Sequence, residues 1–125
     1  MRIADTSFLY ALFHANDRFH PKARSHAFQA DRILIPSEVW TETMGLMLAR
    51  LGFEATVQVK QWIGSHPTFE FAFSGAREHQ LAWRLYQKAR GALSLTDALV
   101  IAWGNLEVVP LLSFDANQLK AAGQG

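Results

Sequence analysis

Arg2-Ile3-Ala4-Asp5-Thr6-Ser7 opens the chain with a short apolar run that closes on an acid. The pattern returns at Leu93-Ser94-Leu95-Thr96-Asp97 and at Leu111-Leu112-Ser113-Phe114-Asp115. Each run reads as a hydrophobic strand ending where a helix begins. A fourth acid, Glu42, lies in the helix that follows Ile33-Leu34-Ile35-Pro36. Strands alternating with helices predict a mainly parallel sheet covered on both faces, a three-layer α/β/α architecture. Open sheets of this kind hold their ligand sites at the carboxyl ends of the strands. Acids gathered at that edge repel one another unless a cation neutralises them.

Working outward, residues 2–5 predict a short buried strand, and Asp5-Thr6-Ser7 starts a helix to about Phe13. His14 to His20 reads as a polar loop, and Pro21 suits the first turn of a helix to about Ala30. Ile33 to Ile35 predicts a second strand, stopped by Pro36. Ser37 then caps a helix to about Leu51, with Trp40, Met44, Met47 and Leu51 at helical spacing, and Gly52 breaks it. Phe53 to Ile63 predicts another helix. Phe69, Phe71 and Phe73 alternate with Glu70 and Ala72, a strand period near a sheet edge. Gly75 leads into a helix to about Ala89, residues 96–106 predict an apolar helix, and Val108 to Leu112 a strand. Asp115 opens a short last helix. Four strands are few for a sheet by base rates, leaving room for a short fifth.

The bulk numbers narrow the class. At 125 residues, half of them hydrophobic and 12% aromatic, the chain is expected to form one domain, 1–125, with its own core. The chain contains no cysteine, which removes disulfides and thiolate zinc sites and fits a reducing cytoplasm. No apolar run reaches the roughly 18 residues of a membrane span, and the acid at position 5 interrupts any signal-peptide apolar region. Twelve basic and 11 acidic residues give a net charge of +1, unlike a strongly basic DNA-binding domain. If four acids share one site, the remaining surface is more basic than the total and can attract phosphates.

Taken singly, each acid has a structural role open to it. Asp5 can cap the first helix, Asp97 can favour a helix dipole, and Asp115 with Gln118 resembles a capping box. Together they are harder to dismiss, because parallel order would bring the strand-end acids to one edge. Glu42 needs no cap; its helical row continues through Leu46 and Ala49, and a glutamate beside an apolar stripe is costly unless it is paired or coordinated. Glu38, one turn earlier, is either a further ligand or, as the expectation here, solvent-facing. Hard carboxylate oxygens suit Mg²⁺, with Mn²⁺ as the alternative. The five histidines, His14, His20, His26, His66 and His79, show no paired ligand spacing.

At these residues the chain resembles the PIN-domain nucleases. Ile3-Ala4-Asp5-Thr6-Ser7-Phe8-Leu9 is similar to the family's opening motif, an apolar strand followed by Asp-x-Ser or Asp-x-Asn. Val39-Trp40-Thr41-Glu42 resembles the second motif, Leu93-Ser94-Leu95-Thr96-Asp97-Ala98-Leu99 the third, and Leu111-Leu112-Ser113-Phe114-Asp115 the fourth. Ser113 stands where threonine is commoner, and Asn117 where many relatives carry a further acid. The resemblance implies an Mg²⁺-dependent endoribonuclease in which Asp5, Glu42, Asp97 and Asp115 hold one or two ions. A metal-activated water would attack the phosphodiester and leave 5′-phosphate and 3′-hydroxyl ends. Ser7, Thr96, Ser113 and Asn117 would orient carboxylates or waters. Small members of this size resemble VapC-type toxins, which implies a homodimer, a small antitoxin partner, an RNA substrate and no membrane.

Two rivals remain open at this point. A receiver-type phosphoacceptor domain needs an acidic pair after its first strand, and this chain offers only Asp5. A PIN-like RNA-binding or protein-interaction module would keep the fold without catalysis. Lys22, Arg24, Arg84 and Lys88 are candidates for contacting an RNA backbone. Trp40, Trp62 and Trp83 are expected in the core rather than at an exposed interface.

Overall fold

Ile3 and Ala4 are fully buried, and the strand they form is flanked on both sides. A computed structural model of the chain describes residues 1–123. β1 (Arg2–Ala4) leads through α1 (Thr6–Phe13) and α2 (His20–Gln29) to β2 (Ile33–Pro36). α3 (Ser37–Leu51) and α4 (Phe53–Gly64) then lead to β3 (Phe69–Ala72). α5 (Ala76–Ala89) and α6 (Leu95–Glu107) connect to β4 (Leu111–Leu112), and α7 (Ala116–Ala121) follows. The four strands form one sheet in the order β3-β2-β1-β4, and every pairing is parallel. The α/β/α architecture is as expected.

That order decides where a site can form. The chain builds β1, β2 and β3 outward in one direction, then crosses back to lay β4 on the other side of β1. The order therefore reverses between β1 and β4, and the carboxyl ends of strands at such a switch are the usual ligand position in open sheets. Ile3 pairs with Leu111 and Ala4 with Leu112, so the residues after these strands, Asp5 and Ser113, emerge side by side.

Phe8, Leu9, Ile33, Ile35, Val39 and Ile101 fill the main core against the sheet. The two-residue β4 lies hard against α6. A Cβ on Gly104 would stand 2.7 Å from Leu111 Cδ1 and 3.1 Å from the Val109 carbonyl oxygen, so any larger residue requires Leu111 and the Val109 backbone to shift.

Several element ends differ from expectation. Residues 93–96 are not a strand; Leu93 and Ser94 end the turn after α5, and Leu95 and Thr96 are already in α6. Ser94 Oγ accepts the Asp97 N–H and the Asp97 carboxylate accepts the Ser94 N–H, a reciprocal cap that starts α6 at Leu95. Asp97 therefore reaches the site from a helix N-terminus. The last strand does not begin at Val108, which ends α6 in the left-handed region at φ 54°. Pro36 precedes α3 as its N-cap, and Ser37 makes no capping bond. α2 begins one residue early, at His20, whose Nδ1 lies 2.8 Å from the Ala11 carbonyl oxygen and ties α2 to α1. Trp40 packs on the core, but Trp62 and Trp83 are exposed, against expectation.

No helix among the described residues is long and apolar enough to cross a membrane.

Candidate active site

Asp5 is 1% exposed, and few carboxylates are held so far from water. It caps α1: one oxygen accepts the Phe8 N–H at 2.8 Å and the Ser7 hydroxyl at 2.8 Å. The other accepts the hydroxyl of Ser113. Ser7 Oγ also takes the Phe114 N–H at 2.9 Å, and Ser113 Oγ takes the Asp115 N–H at 3.0 Å. The segments after β1 and β4 are thus stitched through two serines. Both had been expected to orient the acids, and both contact Asp5.

Burial pushes the Asp5 carboxyl up to about 6 against an ordinary 3.8, although the bonds from Ser113, Phe8 and Ser7 oppose the rise. The charge of Asp97 adds to it. Asp97 is also raised, first by burial, against the Ser94 bonds, and then by the charges of Asp115 and Glu42. Asp97 is therefore the acid that the charges of Asp115 and Glu42 reach, and its own charge reaches Asp5. Asp115 caps α7 through the N–H groups of Asn117 at 2.9 Å and Gln118 at 3.2 Å.

The supporting residues divide. Asn117 touches Asp115 only through its backbone, and its side chain is exposed. The hydroxyl of Thr96 bonds to none of the four acids among the described residues. Gln118 is fully buried and its Nε2 donates to the Asp97 carbonyl oxygen at 3.2 Å, tying α7 to the α6 turn; it does not complete the expected capping box. Glu42 is exposed, as is Ala49 further along its row. The desolvation argument for that residue therefore does not hold; what links it to the other acids is its charge acting on Asp97.

Glu38 is not solvent-facing. Its carboxylate accepts the hydroxyls of Ser37 at 3.1 Å and Ser74 at 2.9 Å, and meets His79 Nε2 at 3.2 Å. Burial raises this carboxyl, but its own backbone N–H, Ser74, Ser37 and His79 outweigh that and leave it below the ordinary range. Nothing local in the sequence marks this link, since its partners lie 36 and 41 residues away.

Among the described residues, no three acid or histidine side chains stand close enough to cage an ion directly. The influence of Asp115 and Glu42 on Asp97, and of Asp97 on Asp5, nevertheless gathers negative charge at one edge. An all-oxygen donor set, with two carboxyls raised by burial and like charge, fits a divalent cation of the magnesium kind.

The model of the PIN domain family matches residues 2–124, and the chain belongs to that family. The structure of VapC20 from Mycobacterium tuberculosis, a sarcin–ricin loop cleaving toxin, is similar with a TM-score of 0.85 and 26% identity, over 97% of this chain and 95% of that one. A toxin–antitoxin complex from Klebsiella pneumoniae gives a TM-score of 0.73 at 18% identity, over 95% and 90% of the two chains. This second likeness concerns the fold alone. No curated protein matches the chain.

Proposed function

We propose that this PIN domain is a divalent-metal-dependent endoribonuclease, acting as one unit over residues 1–125 as the toxin of a toxin–antitoxin pair. The observation that carries the reading is the group of acids beyond the carboxyl ends of β1 and β4. It holds a buried Asp5 braced by serines from both sides and electrically joined to Asp97, which in turn feels Asp115 and Glu42. Structural capping accounts for Asp5 and Asp115 at this edge, but it gives no reason for the burial of Asp5 or for Glu42 beside Asp97.

Asp5, Glu42, Asp97 and Asp115 would hold Mg²⁺, or Mn²⁺ in its place, in part through waters that the ion keeps. A bound ion of this kind lowers the pKa of a coordinated water and offsets charge on phosphoryl oxygens. The chain's own residues prepare that chemistry. Ser7 and Ser113 aim both oxygens of Asp5, while Ser94 and Gln118 hold the Asp97 turn in place. Thr96 and Asn117 would contribute through waters.

RNA is the substrate because VapC20 cleaves an RNA loop. A small antitoxin, a homodimer and a cytoplasmic setting complete the reading. The test is incubation of purified protein with total RNA in Mg²⁺, in Mn²⁺ and in chelator, with mapping of the cut ends. Metal-dependent cuts leaving 5′-phosphates, lost in Asp5→Asn, are expected. Cutting that survives chelator, or survives Asp5→Asn, refutes it.

A further inference from the structure

Glu38 stands one helical turn before Glu42 on α3, and its carboxylate joins three other segments. It accepts from Ser74, in the link between β3 and α5, and meets His79 on α5. Ser74 Oγ accepts the Trp103 indole N–H at 2.9 Å, which extends the chain of bonds to α6. Trp103 itself packs against both hydrophobic clusters that hold α6.

The two helices joined in this way also carry two of the site acids. Glu42 lies about 6 Å along α3 from Glu38, and Asp97 about 9 Å along α6 from Trp103, at 1.5 Å per residue. Glu38 is bonded toward Trp103 while Glu42 acts on Asp97. The helices therefore pass each other in opposite senses, with two rungs between them. The rung from Glu42 to Asp97 is repulsive, since both side chains are carboxylates. The rung from Glu38 through Ser74 to Trp103 is attractive.

We propose that the Glu38–Ser74–Trp103 link is a positioning clasp that sets the separation of Glu42 from Asp97 and holds the two acids ready for a cation. The inference rests on the nuclease reading of the four acids. In it Glu38 is a positioning residue rather than a fifth ligand, because its oxygens are already taken. Ser74 is the hinge pin: it donates to Glu38 and accepts from Trp103, so its removal leaves both without that partner. Outer groups that orient metal-binding carboxylates commonly change metal affinity or activity by about 10- to 100-fold when lost.

The experiment compares wild type, Ser74→Ala, Ser74→Thr and Glu38→Ala. Mn²⁺ binding is measured by calorimetry, and kcat and KM on a single-stranded RNA oligonucleotide. Ser74→Ala and Glu38→Ala should weaken Mn²⁺ binding and lower kcat by about tenfold or more, with KM unchanged. Ser74→Thr, which keeps the hydroxyl, should restore both. Glu38 is on a half-buried face, so Glu38→Ala reads the clasp even if Ser74→Ala does not fold. Wild-type Mn²⁺ affinity and kcat in either alanine variant would overturn the proposal. Absence of Mn²⁺ binding by wild type would instead remove the metal reading. The clasp is then judged from crystal structures of the metal-free proteins: Glu42 should shift from Asp97 by more than about 0.5 Å in Glu38→Ala, and an unchanged separation overturns it.

Discussion

Asp5→Asn should make the metal-free protein more stable at neutral pH, although it removes a residue of the site. The native carboxyl is raised from 3.8 to about 6, chiefly by burial. At about 1.4 kcal/mol per pKa unit, keeping it ionised above pH 6 costs the folded state about 3 kcal/mol. The sign follows from linkage: the native state binds the proton more tightly than the unfolded chain. Wild-type stability therefore rises as pH falls from about 7 toward 4, and flattens once both states are protonated. Asparagine is nearly isosteric and neutral throughout. Its oxygen still accepts from Ser7 and Phe8, and its amide can donate to Ser113, whose own hydroxyl now turns elsewhere. For a chain of this length the gain corresponds to a Tm rise on the order of 10 °C at pH 7.5, shrinking toward pH 4. Thermal melts in chelator across pH 4 to 8 measure it. Added Mg²⁺ should narrow the gap, because it stabilises wild type more than the variant. A variant less stable than wild type by the same amount at every pH would refute the reasoning.

Three further outcomes are expected. Val108→Gly should raise stability by about 1 kcal/mol, since a β-branched residue in the left-handed region is strained and this side chain is 88% exposed; unchanged denaturant midpoints would contradict it. Gly104→Ala should destabilise by about 1–3 kcal/mol through overpacking against Leu111 and the Val109 backbone, read by chemical unfolding; a neutral effect would show that β4 can shift. Arg84→Glu with Lys88→Glu, both exposed on α5, should weaken RNA binding in chelator and flatten its salt dependence, each lost phosphate contact removing about 0.7 from the log–log slope; an unchanged slope would take α5 out of the RNA path.

The strand-end acids at 5 and 115 were legible because a short apolar run, an acid and a capping pattern coincide there. Residues 93–96 misled for the same reason. A brief apolar stretch has no periodicity, and only the reciprocal bond between Ser94 and Asp97 reveals a helix start rather than a strand end. Glu42 was singled out on a burial argument that its exposure does not support. Its link to the other acids is an electrical effect on Asp97, 55 residues on, that no local window contains. The engagement of Glu38 was missed because three donors arrive from residues 37, 74 and 79. Trp62 and Trp83 lie on helices with apolar stripes, yet those helices pack chiefly on α3 and α6 and leave both rings partly exposed.

The two-residue β4 also bears on when the acidic edge comes into being. Ser113, which braces Asp5, is 108 residues away from it, and the ladder that sets β4 beside β1 needs Leu111 and Leu112. During synthesis, every earlier strand and helix can assemble while this part of the edge is missing. A chain that has not yet made β4 therefore lacks the serine that braces Asp5 from the far side of the sequence.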